Sequence, residues 1–264
     1  GEGHFAVVYR GKMKSEVVAV KKFEKQAMGD EELTAFCTEA SFLLTLKHPN
    51  VCSAKGVCID GGSFAILTSF LPRGNLHIAL KSRNPPIPWP RRIVMACDVA
   101  AGVAYLHSRA RPILHLDLKT PNLLVGGDWQ VQLADFGLAQ LKPETPNEGR
   151  SRGFQPGTVH WMAPELIEAG LKSEKTDVFA LGVVLWELWA MVTPYHGLGV
   201  QEIARLVKQG GRPSLPDAVD PPRKRNGEFE RWVRACWHES SQERPSAERV
   251  VDGLMEIRST LGGE

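Results

Sequence analysis

The run His115-Leu116-Asp117-Leu118-Lys119-Thr120-Pro121-Asn122, followed by Asp135-Phe136-Gly137, constrains this chain more than any other feature. It supplies a proton acceptor and two metal ligands at the spacing used for phosphoryl transfer. With 264 residues and 43% hydrophobic content, the chain can bury one or two cores around such a site. A formal charge of +2 reflects nearly balanced acids and bases. That balance gives no electrostatic footprint for nucleic acid or an anionic membrane surface.

The five cysteines, Cys37, Cys52, Cys58, Cys97 and Cys236, are odd in number and scattered, unlike the paired spacing of zinc ribbons or secreted disulfide frameworks. A reducing compartment is expected. The most apolar run, Val178 to Val192, is interrupted by Glu187 and is shorter than the ~20 residues of a membrane span, so it reads as a buried core helix. No secretory signal opens the chain.

Gly1-Glu2-Gly3-His4-Phe5-Ala6-Val7-Val8-Tyr9 is a glycine-rich turn leading into a β-rich segment; alone it would be no more than a hairpin. Glycines let the backbone approach a triphosphate, and Ala6 adds only a methyl group. Val18-Ala19-Val20-Lys21 follows as an apolar strand ending in a cation. Leu33, Phe36, Ala40, Leu43 and Leu44 recur at three- and four-residue spacing and predict a helix burying one face. His48-Pro49-Asn50-Val51 is a proline-marked break with a packed turn histidine. Phe64-Ala65-Ile66-Leu67 predicts a strand, and Trp89 to His107 an amphipathic helix under the catalytic loop.

In this order the motifs resemble the eukaryotic protein kinase family from Gly1 to about Leu261. The resemblance implies a bilobal α+β fold. Residues 1–71 would form a small β-rich lobe with one main helix, lacking its first strand, and the start of the hinge; residues 72–264 would form a larger, mostly helical lobe. Since the chain begins at the glycine loop, it looks like a segment of something longer, with regulatory domains on the flanks.

The resemblance also implies ATP as cofactor with Mg²⁺, for which Mn²⁺ could substitute. Gly1, Gly3 and Ala6 would cover the phosphates. Lys21 would reach the α- and β-phosphates and pair with Glu39; the alternatives Glu31 and Glu32 sit in the acidic first turn, where the helix dipole alone favours them. Thr68 would be the gatekeeper, the Ser69 and Leu71 backbones would bond adenine, and Val8, Ala19 and Leu124 would sandwich its ring. Asp117 would accept the substrate hydroxyl proton while Lys119 stabilises charge on the phosphoryl group. Asn122 and Asp135 would hold metal, and Thr158 would bond both Asp117 and Lys119. His115 would pack beneath Phe136 and Leu43. Glu165 and Arg244 would form a buried pair, and Asp177 would hold the catalytic-loop backbone.

Leu116 departs from the family, which often has an arginine there to pair with an activation-segment phosphate. Two readings stand side by side: either the enzyme depends less on that phosphate, or Leu116 packs and another base, Arg150 or Arg152, serves. Thr145, Ser151 and Thr158 are the segment's candidate hydroxyls, and Pro143 to Gly149 forbids regular structure. Lys119 and Gly157-Thr158 resemble serine/threonine kinases, whereas Trp161-Met162-Ala163-Pro164-Glu165 is shared with tyrosine and tyrosine-kinase-like groups. With Asp128-Trp129 and Val183-Val184-Leu185-Trp186-Glu187-Leu188, the chain looks tyrosine-kinase-like, near Raf-like or mixed-lineage enzymes, dual specificity remaining open.

The expected activity is phosphorylation of protein substrates on serine or threonine, in the cytoplasm or on the intracellular part of a larger protein. A pseudokinase scaffold and a small-molecule phosphotransferase are the competing classes. Trp186, Trp189, Trp232 and Trp237 are expected in the core, Cys236 and His238 make no metal site by themselves, and Arg223-Lys224-Arg225 reads as a solvated loop rather than a nuclear address or docking patch.

Overall fold

The computed structural model describes residues 6–23, 29–60, 63–81, 85–143, 158–216 and 223–261. Four β-rich segments, β1 (Ala6–Met13), β2 (Glu16–Phe23), β3 (Ala54–Asp60) and β4 (Ser63–Ser69), form an antiparallel sheet of order β1-β2-β4-β3. The register opposes Val8 to Lys21, Ala19 to Thr68 and Lys21 to Ile66. Directly opposed residues share a face, so Val8, Ala19, Lys21 and Thr68 project together. Ala6, expected within the glycine-rich loop, instead begins β1 opposite Phe23. Its methyl is buried in the core, and burial favours the strand over a loop there.

Helix α1 (Asp30–Thr45) starts after Gly29, whose amide donates to Glu32 Oε2 at 2.9 Å. Glu32 thus serves as a helix cap. Phe36, Ala40 and Leu43 are buried, and Phe36 sits edge-on to Phe23 and Phe64 at 5.1 and 5.3 Å. Leu33 and Leu44, expected on the same face, are 41% and 51% exposed. The helix has one buried stripe, and these two lie at its rim.

The chain then enters a helical lobe: α2 (Leu76–Lys81), α3 (Trp89–His107), α4 (Pro164–Ala169), α5 (Glu174–Ala190), α6 (Val200–Lys208), α7 (Arg223–Cys236) and α8 (Ala247–Leu261). Short strands β5 (Ile113–Leu114), β6 (Leu123–Val125), β7 (Val131–Leu133) and β8 (Gln140–Leu141) lie between α3 and α4. Arg223-Lys224-Arg225 opens α7 and is not a loop; the basic side chains lie outside the described residues.

Helix α5 is the lobe's axis, buried from Thr176 to Trp189. Ser173 caps its start by accepting from the Lys175 amide, and buried Arg92 of α3 donates to the Leu188 and Trp189 carbonyls at its end. A cation there answers both the free carbonyls and the negative end of the dipole. A Cβ at Gly182 would lie 2.7 Å from Cys236 Cβ, so glycine lets α7 approach α5. Trp186, Trp189 and Trp237 are buried, while Trp232 packs at the core's edge. Among the described residues no helix is long and apolar enough to cross a membrane.

The turn after α1 ties the sheet to this lobe. Cys52 donates to the Leu133 carbonyl, Leu133 to that of Asn50, and Asn50 Nδ2 to that of Val131. His48 stacks on Tyr105 of α3 at 4.7 Å.

Candidate active site

The catalytic run follows β5 in a backbone conformation that regular structure does not provide. Leu116 has φ 61° and Asp135 φ 63°, the left-handed region that side-chain-bearing residues seldom adopt. Asp177 of α5 holds the first of these turns. Its carboxylate accepts the amides of His115 and Leu116 at 2.8 Å each and meets His107 Nε2 at 2.9 Å. Burial pushes the Asp177 carboxyl up, but these donors outweigh it and hold it below the usual carboxylate range.

Asp117 Oδ1 accepts from Thr158 Oγ1 at 3.2 Å, while Oδ2 accepts from Asn122 Nδ2 at 2.6 Å and Lys119 Nζ at 2.9 Å. Lys119 also donates to Thr158 Oγ1 at 3.0 Å. Thus one carboxylate is oriented by an ammonium, an amide and a hydroxyl. Above it, Lys21 Nζ bonds both Glu39 oxygens at 2.8 Å and Asp135 Oδ1 at 3.0 Å. Burial pulls the Lys21 ammonium down, yet Asp135 and Glu39 outweigh it and raise its pKa. For Glu39, burial prevails over Lys21 and the pKa rises. For Asp135, burial is overcome by Lys21 and the pKa falls.

His115 lies under Phe136, ring centroids 5.0 Å apart, with Nε2 3.2 Å from the Ala134 carbonyl oxygen. From α1, the Phe42 ring lies 6.2 Å from that of Phe136.

The donor set fits a divalent cation. Asn122 commits its amide nitrogen to Asp117, leaving the carbonyl oxygen as an acceptor. The Asp135 side chain is 44% accessible. Oxygen donors from an aspartate and an asparagine suit a hard cation such as Mg²⁺.

Thr68 and Ser69 end β4, near the chain's buried Cys52 thiol. Burial pushes that thiol up to about 11. The Leu71 carbonyl accepts from the Gly74 amide at 3.2 Å, and the Val125 amide of β6 donates to the Gly74 carbonyl at 2.8 Å, bringing Leu124 opposite Asn75. Val8 is 42% exposed; Ala19 and Leu124 are half-buried. Gly1, Gly3, Thr145, Arg150, Ser151, Arg152 and Gly157, and the Glu31 side chain, lie outside the described residues.

The Glu165 carboxylate takes both terminal nitrogens of Arg244, at 2.6 and 2.9 Å. Arg244 also donates to the carbonyls of His238, Lys175 and Glu239 and lies over Phe179 at 5.0 Å. Leu116 borders a small cavity with Met162 and Leu166.

Sequence reasoning missed the positions of His107 and Glu187. Glu187 accepts from Thr120 and Trp161 inside the lobe. Its signal was available: a carboxylate within an otherwise apolar helical run is a group that needs partners.

A β-sheet lysine paired with a glutamate of the packed helix α1, set over a helical lobe bearing an oriented aspartate, defines a protein kinase catalytic domain. The chain belongs to the family described as protein tyrosine and serine/threonine kinase, whose profile matches residues 1–254. Members of this family use ATP and a divalent metal. Among its relatives is a chain of Acanthamoeba polyphaga mimivirus provisionally named serine/threonine-protein kinase/receptor R826, 36% identical over 95% of this chain and 14% of its own length. The Arabidopsis thaliana protein provisionally named serine/threonine-protein kinase SIS8 is 36% identical over 100% of this chain and 25% of its own. The Dictyostelium discoideum protein provisionally named serine/threonine-protein kinase drkA is 33% identical over 98% and 39%. The chain therefore spans well under half of each of these relatives.

Proposed function

We propose that the chain transfers the γ-phosphate of Mg·ATP to serine and threonine hydroxyls of protein substrates, in signal transduction. The observation that carries this reading is Thr158, whose hydroxyl lies between Asp117 and Lys119. The hydroxyl oxygen of the substrate forms the new bond to the γ-phosphorus as the bond to the departing ADP oxygen breaks, and Asp117 takes the hydroxyl proton. Lys119 offsets charge on the transferred group. Lys21, steadied by Glu39, positions the α- and β-phosphates. A divalent ion held by Asn122 and Asp135, which we read as Mg²⁺ with Mn²⁺ as substitute, neutralises phosphate charge when bound.

Val8, Ala19 and Leu124 would hold the adenine ring, and the backbones of Ser69 and Leu71, beside the Thr68 gatekeeper, would bond its edge. Gly1 and Gly3 belong to the phosphate-covering segment, and Ala6, which opens β1, adjoins it. The lobes divide at residues 1–71 and 72–264. Within the family we place the chain in the tyrosine-kinase-like group, near Raf-like or mixed-lineage enzymes, on Trp161 to Glu165 combined with Lys119 and Thr158. Five cysteines without paired spacing support a cytoplasmic setting, in which regulatory domains on the flanks would select substrates.

Leu116, half-buried beside Met162 and Leu166, offers no cation to an activation-segment phosphate, and we take the reading in which the enzyme depends less on that phosphate. An enzyme without arginine there keeps near-full activity after phosphatase treatment; a large loss on treatment contradicts this. The substrate reading is tested by phosphorylating a mixed protein substrate and locating the phosphate by mass spectrometry.

A further inference from the structure

Glu187 joins the two loops that carry the catalytic groups. It lies near the end of α5 with its side chain 1% exposed. One carboxylate oxygen accepts from Thr120 Oγ1 at 2.8 Å, the other from Trp161 Nε1 at 2.7 Å, and His77 Nδ1 of α2 stands 4.0 Å from the first. Thr120 is the residue after Lys119. Trp161 closes the single turn that begins at Thr158, its amide bonding the Thr158 carbonyl at 3.0 Å.

Burying a carboxylate is costly, and an apolar side chain in this helix would avoid that cost. Burial accordingly pushes the Glu187 carboxyl up, against the donors around it. What the carboxylate provides in return is a fixed span: two rigidly spaced oxygens tie the catalytic loop to the substrate loop. We propose that Glu187 is a positioning residue for phosphoryl transfer, holding Lys119 and Thr158 at their spacing about Asp117 through Thr120 and Trp161. The inference rests on the kinase reading above. It adds a residue that touches neither nucleotide nor substrate and acts through two that adjoin the chemistry.

Three kinds of variant test it. Glu187→Gln keeps both links, since its carbonyl oxygen can accept from Trp161 while its amide donates to the Thr120 oxygen. Glu187→Leu removes both. Because misplacement by about 1 Å costs on the order of 10²-fold, Glu187→Leu lowers kcat on a peptide substrate by roughly 10- to 100-fold while leaving the KM for ATP within about twofold. Glu187→Gln restores most of the rate. Thr120→Val and Trp161→Phe each cut one link and lower kcat in the native background, but cost nothing further beside Glu187→Leu, the non-additivity of groups acting as one unit.

Melting temperature is measured on every variant. Losses of kcat that follow the melting temperature, additive losses, or a Gln variant no better than Leu would make Glu187 a structural brace and overturn the proposal. Transfer by the native chain with Glu187→Leu unaffected overturns this inference alone. No transfer by the native chain removes the kinase reading and the positioning role with it.

Discussion

Thr158 donates its hydroxyl hydrogen to Asp117 Oδ1 at 3.2 Å, a link across 41 residues of sequence. The Thr158 oxygen in turn accepts from Lys119 Nζ at 3.0 Å. Thr158→Val removes both bonds with little change in volume, so kcat falls by about 10- to 100-fold while Thr158→Ser keeps most of it. Steady-state kinetics on a peptide substrate checks this; equal losses in both variants refute it.

Lys21 is the cation shared by Glu39 and Asp135. On the proposed role of Lys21 at the triphosphate, Lys21→Met lowers turnover by roughly 10²-fold or more. Glu39, already raised by burial, takes up a proton instead of remaining a bare buried charge. The variant therefore stays folded, which circular dichroism reads directly.

Arg244 is fully buried with Glu165 at 19% side-chain exposure. Removing one member of such a pair costs about 3–5 kcal/mol, so Arg244→Ala loses stability in denaturant titration along with activity. Lost activity at unchanged stability contradicts the assignment.

Asp177 titrates below its ordinary value in the folded chain. A depressed carboxylate contributes stability that is fully present above its unfolded pKa, about 3.9, and is lost as pH falls through the folded value. Stability of the native chain therefore declines below about pH 4. Asp177→Asn is less stable at neutral pH and has a shallower acid limb. Denaturant titrations between neutral and acid pH decide; parallel limbs refute the assignment.

Tyr195 buries its hydroxyl without a hydrogen-bond partner among the described residues, and burial pushes its pKa up to about 12. Tyr195→Phe removes an unsatisfied group at almost constant shape. Stability rises by up to about 1 kcal/mol, read as a higher melting temperature; a fall would reveal a partner for that hydroxyl.

β1, β2, β4, α1 and α3 were legible in the sequence because runs and periodic patterns of apolar residues report burial directly. The family resemblance singled out Lys21, Glu39, Asp117, Asn122 and Asp135, and the fold brings Lys21 to Glu39 and Asp135, and Asn122 to Asp117. Leu33 and Leu44 were misassigned because an apolar residue at the rim of a stripe has the same sequence signature as one at its centre. Ala6 was placed in the loop by motif register, whereas packing against the core puts it in β1. The Glu187 link was hidden for another reason: Thr120, Trp161 and Glu187 lie far apart in the chain, and only the fold brings their polar atoms together.

The central claim is tested most directly by γ-phosphate transfer from Mg·ATP to a mixed protein substrate, comparing the native chain with Asp117→Asn and Lys21→Met and mapping the modified residues by mass spectrometry. The account predicts phosphoserine and phosphothreonine with the native chain and almost none with either variant. No transfer by a folded native chain that binds Mg·ATP would contradict it and leave a nucleotide-binding scaffold in its place.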